Sequence, residues 1–306
     1  MKRIFWLAVV AAVLGATALG AGPGQRARPA RGQSPQAGPV VEYRTYCTGW
    51  ISASEPEKPG LPPAPPLVWV LDGAGDLKGC SGALAPALAA VGDPVELVPF
   101  SWSHGYRRLL QDQIDMTHAR VQGARLAQAI QERKAKEPCR RVVVVAHSAG
   151  CAVALAACDL LPMDCVDRVV LLAPSVSTGY DIRPTLWSAK EGVDVFCSKK
   201  DWVALGFVVR VVGTTDRFWS GSAAGRWGFK PKGPNALADL ETARLRQHFW
   251  SQEVAWTGHT GGHHGMHAPA FVQTYLLPLM TGSPAPALTA RGPDERVTGA
   301  RASSYR

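Results

Sequence analysis

Five short apolar runs, rich in Val and Leu, recur along the chain and constrain its fold more than any other feature. They are hydrophobic at consecutive positions rather than at alternate ones, as strands buried on both faces of a parallel sheet must be. Most of the gaps between them are long enough for crossover helices. The pattern predicts an α/β fold with a mainly parallel sheet flanked by helices. The runs are residues 67–71, 95–100, 142–146, 168–173 and 193–197.

The intervening segments contain helical patterns. Apolar residues at three-to-four-residue spacing predict a helix over 116–136, and an Ala/Leu-rich segment predicts another over 149–161. A final apolar helix is predicted over 271–280, and residues 43–51 are a further candidate strand. Residues 217–250 break the alternation, because aromatic residues there are scattered among Gly, Ser and Lys. We interpret this segment as a small cap or excursion before the last core element.

The two ends of the chain differ in composition from the body. Residues 1–21 combine a short positive start with a long apolar stretch and small residues, which is typical of a signal peptide or an N-terminal anchor. Residues 22–39 form a Pro/Gly-rich linker predicted to be disordered, and 283–306 form a similar disordered tail. We therefore predict a folded domain over 40–282. Export, periplasmic or secreted, is expected, or a membrane tether where the first segment is retained.

The positive charge of the chain lies mostly in these ends. The formal net charge is +9, and residues 1–46 alone contain six Lys or Arg and one acidic residue. A nucleic-acid-binding face needs clustered positive charge on the folded body, and the body shows none. The charge therefore indicates no nucleic-acid partner.

The strongest local motif is a buried strand that runs into Ser148 and is followed directly by a helix. This arrangement is typical of a nucleophile elbow, in which a tight turn presents a serine hydroxyl at the end of a sheet. The turn requires small residues two positions before and after the serine, where the chain has Ala146 and Gly150. The N–H of Ala149, at the start of the helix, is a candidate donor to a developing oxyanion.

Other loops supply candidates for a second oxyanion donor and for the acid of a catalytic triad. The Gly-rich loop after the first run makes Gly73 and Ala74 candidates for a second oxyanion donor. Asp201 follows the 193–197 strand, where the acid of a catalytic triad belongs, and Asp216 is the reserve candidate.

The general base is expected in a Gly-rich loop near the end of the domain. Residues 259–267 contain four histidines just before the final helix. The order Ser, Asp, His along the chain holds whichever of them acts as the base.

Taken together, these motifs resemble the α/β-hydrolase superfamily over roughly residues 65–282. The resemblance depends on four motifs, which are DGAGD at 72–76, AHSAG at 146–150, SKKD at 198–201 and GGHHG at 261–265. The last is similar to the GGHxG loop of a group of uncharacterised exported or membrane-associated hydrolases.

The resemblance implies a Ser148 nucleophile and a base at His263, with His264 as the alternative and His259 and His267 as neighbours. The resemblance implies no particular substrate, because this fold hosts many activities. Our own prediction is a serine hydrolase with an esterase-like or lipase-like activity on small-molecule or lipid esters. The sequence has no P-loop, haem or EF-hand motif, so we predict no cofactor and no metal.

Two alternative hypotheses apply to the same residues, namely a zinc site and a binding domain without enzymatic activity. The histidines at 259, 263, 264 and 267 have spacings that can bind zinc, although Gly261 and Gly262 argue against a helix that presents them on one face. The fold also hosts non-enzymatic binding domains. Zinc content and reactivity towards a serine-directed probe distinguish these alternatives.

Overall fold

The computed structural model describes residues 64–283, apart from 93, 203, 206–212, 218–221 and 234–235. The signal or anchor segment 1–21, the linker 22–39, the candidate strand 43–51 and the tail beyond Ser283 lie outside these residues and stay predictions.

A six-stranded sheet forms the centre of the domain, with every neighbouring pair parallel and the order β2-β1-β3-β4-β5-β6. All five predicted strands are confirmed. Their Val-rich sequences are buried on both faces in β1, β3, β4 and β5, which explains why their hydrophobic residues run consecutively. The strands are β1 (Leu67–Leu71), β2 (Glu96–Pro99), β3 (Val142–His147), β4 (Arg168–Leu172), β5 (Val193–Cys197) and β6 (Leu245–Phe249).

The direction in which strands are added to the sheet reverses between β1 and β3. The chain passes from β1 outwards to β2, then returns to the other side of β1 for β3 and continues outwards from there. In an open parallel sheet, such a switch point leaves a crevice at the carboxyl ends of the two strands, because their loops diverge. The loops that begin at Asp72 and Ser148 follow β1 and β3 at this crevice.

Helices cover both faces of the sheet and enclose two hydrophobic clusters. One contains Leu126, Ile130 and Leu155. The other contains Leu84 and Phe271. The helices are α1 (Ser81–Ala89), α2 (Leu109–Ile114), α3 (Met116–Lys136), α4 (Gly150–Cys158), α5 (Arg183–Ser188), α6 (Ala224–Trp227), α7 (Asp239–Arg244), α8 (Pro269–Phe271) and α9 (Leu277–Thr281).

Short 3-10 and π segments complete the described chain. They are Gln252–Thr257, Gly265–His267 and the π-helical turn Val272–Leu276 between α8 and α9. The predicted helices over 116–136, 149–161 and 271–280 are confirmed, the last as a helical segment interrupted by the π turn. Among residues 64–283, no described helix has the length and hydrophobicity needed to cross a membrane.

Strand β6 corrects the boundary of the segment 217–250. The sequence analysis placed all of it in an excursion, but Leu245–Phe249 pairs with β5 and extends the sheet. The run Leu-Arg-Gln-His-Phe lacks the apolar character of the other strands because it lies at the edge, where its side chains are partly exposed. Its polar residues also have a role in the sheet, since Arg246 pairs in register with Asp194 of β5.

The starting ends of β4, β5 and β6 carry a buried ionic cluster around Asp194. Its carboxylate accepts hydrogen bonds from Arg168 at 2.5 Å and from Arg246 at 2.9 Å, and His248 Nε2 lies 2.8 Å away. Burial raises the pKa of Asp194, but the hydrogen bonds from His248 and Arg246 outweigh it, so the net pKa lies well below its usual range. Glu191 receives hydrogen bonds from Arg141 and Arg168, which lower its pKa to about 2.

The contact between α3 and α4 depends on the absence of a side chain at Gly123. A Cβ there would lie 2.7 Å from the Cβ of Ala156 and 2.9 Å from its carbonyl carbon. We expect Gly123→Ala to destabilise the domain by about 1–3 kcal/mol, because the two helices must move apart. The matched control is Gly82→Ala in α1, which has open space around the new methyl group. It should be neutral or stabilising by up to about 1 kcal/mol in urea unfolding, and equal losses in both variants would contradict the packing argument.

Replacing Asp194 tests the ionic cluster. Asp194→Asn leaves the half-buried Arg168 and the partly exposed Arg246 without the buried carboxylate that they share and should reduce the free energy of unfolding by about 3 kcal/mol. The control, Asp164→Asn, removes an exposed partner of Arg244 and should change it by less than about 1 kcal/mol.

The lowered pKa values of Asp194 and Glu191 determine how the stability of the fold changes with pH. Carboxylates whose folded pKa is lowered stabilise the fold above their unfolded pKa and lose this contribution as the pH falls. Stability of the wild type should therefore decline between about pH 5 and pH 2, less steeply in the Asp194 variant. If the wild type and the Asp194 variant lost stability equally as the pH falls, the Asp194 carboxylate would not contribute to the pH dependence of stability.

Candidate active site

Ser148 adopts a left-handed backbone conformation, with φ of +54°, between β3 and α4. Its N–H donates to the carbonyl of Leu172 at 2.9 Å, and its own carbonyl accepts from the N–H of Ser175 at 3.1 Å. These hydrogen bonds join the turn to the end of β4. A non-glycine residue in this region of φ is strained, and the surrounding contacts hold it there. The sharp strand-to-helix turn predicted around Ser148 is present.

The turn also depends on a close approach between α4 and the end of β1. A Cβ at Gly150 would lie 2.4 Å from the carbonyl oxygen of Asp72 and 3.2 Å from that of Leu71. Only glycine leaves room for these carbonyl groups. Ala146, on the other side of the serine, is fully buried. The small residues around Ser148 thus bring the serine loop directly against the loop that follows β1.

Three predicted site residues form a continuous hydrogen-bonded chain. Nε2 of His263 lies 2.9 Å from Oγ of Ser148, and Nδ1 of His263 lies 2.5 Å from Oδ2 of Asp201. Ser148 and Asp201 are buried, while His263 is half-buried. Three separate segments, after β3, after β5 and before α8, supply these residues. The arrangement can accept a proton from the serine hydroxyl and stabilise the resulting imidazolium.

A further hydrogen bond fastens the acid loop to the histidine loop. The hydroxyl of Ser198, just after β5, donates to the carbonyl of Gly261 at 2.6 Å. Gly261 has a φ of +93°, and its backbone packs against the side chain of Lys200. The relative position of Asp201 and His263 is therefore set by backbone contacts as well as by their own hydrogen bond.

The two reserve candidates occupy other positions. The carboxylate of Asp216 accepts from the N–H of Ser177 at 2.7 Å and from its hydroxyl at 2.5 Å, so it organises a neighbouring loop. The ring of His264 lies beside those of His147 and His267, with centroids 5.3 Å from each. Neither takes the position that Asp201 or His263 holds beside Ser148.

The Gly-rich loop after β1 lies directly beside the serine. A Cβ at Gly73 would be 3.4 Å from the Cβ of Ser148 and 3.0 Å from Nδ1 of His147. Ala74, the next residue, is partly buried against the core. The N–H of Ala149 lies at the start of α4, where the first amides have no intrahelical acceptor. Of the three candidate oxyanion donors, Gly73 thus lies against Ser148 and Ala149 follows it directly, while Ala74 packs against the core.

Buried polar side chains hold the Gly73 loop in place. The carboxylate of Asp72 accepts from the N–H of Cys80 at 2.7 Å and from that of Ser81 at 2.9 Å, at the start of α1. Asp112 accepts from the N–H of Gly75 at 2.6 Å. The indole N–H of Trp102 donates to the carbonyl of Asp72 at 2.8 Å.

The sequence predicts a packed aromatic residue at Trp102, with the border of a pocket as the alternative, and no motif includes Asp112. Their contacts join residues far apart in the chain, and the only signal was the position of Trp102 just after a predicted strand.

The remaining histidines of the loop have separate environments. His259 is buried, and its Nδ1 accepts from the N–H of Gly261 at 3.2 Å. Burial lowers the pKa of His259 to about 4. The spacing of His259 and His263 had suggested a zinc site. The structure instead assigns the first to loop packing and the second to Ser148 and Asp201.

His147, directly before Ser148, is a residue of the site for which the sequence predicts no role. It is buried, and its Nε2–H donates to the carbonyl of His263 at 3.1 Å. Burial is the main reason that the pKa of His147 lies well below its ordinary value, and the neighbouring His263 adds to the effect. The side chain therefore stays neutral at pH 7 and supports the backbone of the residue that contacts Ser148.

Aromatic residues near the acid loop divide between surface and core. Trp202, next to Asp201, is exposed, and the guanidinium of Arg226 lies 5.8 Å from the centre of its ring. Phe229 is buried in the core. Trp202 is therefore the aromatic side chain of this pair that a substrate could contact.

Comparison with known proteins agrees with the fold. An alpha/beta hydrolase family of unknown function (DUF900) matches residues 83–223, a range that contains the Ser148 turn and Asp201 and ends before the histidine loop. No curated protein sequence matches the chain.

Solved structures with a similar fold are distant in sequence. Aspergillus fumigatus lipase B is 13% identical with a TM-score of 0.40, over 76% of this chain and 55% of the lipase chain. This chain thus spans little more than half of the lipase. An extracellular alpha/beta-hydrolase from a Paenibacillus species is 12% identical with a TM-score of 0.32, over 68% and 98% of the two chains. An acetylxylan esterase is 10% identical with a TM-score of 0.33, over 69% and 98%.

The parallel sheet and the turn at Ser148 give this chain the α/β-hydrolase fold that its motifs predicted. Residues 83–223 match a family of alpha/beta hydrolases. The fold by itself specifies neither a substrate nor the reacting group.

The close approach at Gly150 can be tested directly. Gly150→Ala should destabilise the domain by about 3 kcal/mol, because the new methyl group overlaps the Asp72 carbonyl and forces α4 away from β1. Gly179→Ala is the matched control, since a methyl group there meets no neighbour. Urea unfolding measures both, and an unchanged stability of Gly150→Ala would show that the two loops do not pack as described.

Proposed function

We propose that this protein is a serine hydrolase that cleaves esters through an acyl-enzyme intermediate, with Ser148 as nucleophile, His263 as base and Asp201 as the orienting acid. One observation carries the proposal: the hydrogen-bonded chain from Ser148 through His263 to Asp201. A serine that only caps a helix needs neither a histidine on its hydroxyl nor a buried carboxylate behind that histidine.

The first half-reaction forms the acyl-enzyme. Oγ of Ser148 attacks the ester carbonyl carbon while its proton passes to Nε2 of His263. The carbonyl oxygen becomes an oxyanion, which the N–H groups of Ala149 and of Gly73 or Ala74 stabilise at the crevice. The bond to the alcohol oxygen then breaks, and the alcohol leaves with the proton held by His263.

In the second half-reaction, water hydrolyses the acyl-enzyme with the help of the same residues. His263 accepts a proton from water, and the hydroxide formed attacks the acyl carbon. The tetrahedral species collapses, the proton returns to Ser148, and the carboxylic acid is released. Asp201 keeps the proton of the neutral imidazole on Nδ1, so that Nε2 is free to act as base in both halves.

The class of substrate follows from the same proposal. Small-molecule or lipid esters fit an enzyme whose acid loop is bordered by the exposed Trp202. Export or membrane tethering through residues 1–21 would bring it to substrates outside the cytoplasm. N-terminal sequencing of the mature protein tests that part of the proposal.

A fluorophosphonate probe tests the activated serine. We expect covalent labelling of the wild type at Ser148, no labelling of Ser148→Ala, and a large decrease for His263→Ala. Asp201→Asn should slow p-nitrophenyl acetate hydrolysis by roughly 10³–10⁴-fold. The matched control is Asp216→Asn, an acid of the same kind that is bonded to Ser177, which should keep wild-type labelling.

The outcomes separate the competing assignments. A folded wild type that neither labels nor hydrolyses the ester would favour a binding domain on this fold. Loss of labelling in Asp216→Asn with full labelling in Asp201→Asn would transfer the acid role to Asp216. Labelling that survives in His263→Ala but disappears in His264→Ala would make His264 the base.

A further inference from the structure

Three imidazole rings meet behind the catalytic histidine in an arrangement that the proposed hydrolysis does not use. They belong to His147 at the end of β3 and to His264 and His267 in the loop before α8. One ring nitrogen from each lies within 4.8 Å of the other two. The ring centroids are 4.5 Å apart for His147 and His267 and 5.3 Å apart for the other two pairs. We refer to these residues as the three-histidine cluster.

One of these rings lacks a partner that a buried imidazole nitrogen normally has. Nε2 of His267 is buried and has no hydrogen-bond partner among the described residues. Such an orphaned polar atom costs free energy unless something else binds it. Burial lowers the pKa of His267 to about 3 and that of His147 well below its ordinary value, so both rings are neutral at pH 7. His264 is the exposed residue of the three, but desolvation of its ring beside the other histidines lowers its pKa to about 4, so it is neutral at pH 7 as well.

We propose that the three-histidine cluster binds one divalent transition-metal ion of the zinc type. Neutral imidazole nitrogens are ligands for Zn²⁺, Co²⁺, Ni²⁺ and Cu²⁺, whereas Mg²⁺ and Ca²⁺ require oxygen ligands. Three protein nitrogens leave a fourth position for water in a tetrahedral site. The solvent exposure of His264 gives that water access.

The distances fit a site that closes around its ion. In a tetrahedral zinc site with Zn–N bonds of about 2.0–2.1 Å, the nitrogens lie about 3.3 Å apart. The nitrogens, which lie within 4.8 Å of one another, must therefore draw together by up to about 1.5 Å. His264 has room to move because it is exposed, while His147 is held by its hydrogen bond to the His263 carbonyl. Movement of the exposed ring towards the buried ones is the expected response to the metal.

This cluster is separate from the triad, although the two are adjacent. Both ring nitrogens of His263 are already occupied, one by Ser148 and the other by Asp201. The metal would link β3 to the loop that carries His263. Its expected effect is to stabilise this loop and the fold, because the unfolded chain cannot hold the three ligands together.

Metal titration of untagged, chelator-treated full-length protein tests the proposal, with Zn²⁺ for calorimetry and Co²⁺ for visible absorption. We expect one equivalent per chain and a Co²⁺ spectrum typical of tetrahedral nitrogen ligation. At free Zn²⁺ a hundredfold above Kd, Tm should rise by about 5–10 °C. None of these readouts requires substrate, so they are independent of the proposed hydrolysis.

Ligand variants assign the site. His267→Ala should weaken Zn²⁺ binding by at least about 100-fold and remove the Tm shift. The exposed ligand variant His264→Ala should do the same, and it provides the test if His267→Ala fails to fold. Ser148→Ala and His263→Ala are the controls, and both should retain wild-type Kd.

Three results would overturn the proposal. The first is the absence of stoichiometric Zn²⁺ or Co²⁺ binding by the wild type. The second is unchanged Zn²⁺ binding in both single variants, His264→Ala and His267→Ala. The third is loss of binding in Ser148→Ala or His263→Ala, which would locate the metal at the triad instead.

Discussion

The left-handed turn at Ser148 is the constraint on which the site depends. A φ of +54° is unfavourable for serine, so the conformation persists only because the chain on both sides is fixed. Before the turn, β3 is buried in the centre of the sheet, and after it α4 packs against the end of β1. The absence of a side chain at Gly150 permits this packing. The strained residue is thus held between a fully buried strand and a closely packed helix.

From this turn, the topology of the sheet explains the rest of the crevice. Because strand addition reverses between β1 and β3, the loops that follow these strands diverge and leave space at their carboxyl ends. The Gly73 loop and Ser148 border that space, and the loops after β5 and before α8 reach it from the other side. Buried acceptors such as Asp112 hold the Gly73 loop. The side chains that position this loop therefore differ from the residues for which we propose a catalytic role.

One end of the sheet contains a charged cluster, and the other contains neutral histidines. At the starting ends of β4, β5 and β6, Asp194 is buried but fully compensated by arginine and histidine partners, which stabilises the edge of the sheet. At the carboxyl ends, the buried histidines are neutral, because burial lowers the pKa of His147 and His267. A crevice lined by neutral imidazoles retains basic nitrogens, and these can accept a proton or bind a metal ion.

The parallel strands, the central helices and the turn at Ser148 could be predicted from the amino-acid sequence. Each of them depends on a local hydrophobic pattern or on small residues at fixed spacing. A motif and a position after a strand also favoured His263 and Asp201 over His264 and Asp216.

Strand β6 could not be predicted, because its polar edge residues pair with Asp194 of the neighbouring strand. The same holds for the contacts by which Trp102 and Asp112 hold the Gly73 loop, and for the position of His147 beside His264 and His267. These contacts arise only in the folded chain, because they join residues far apart in the sequence and no local pattern records which distant segments meet.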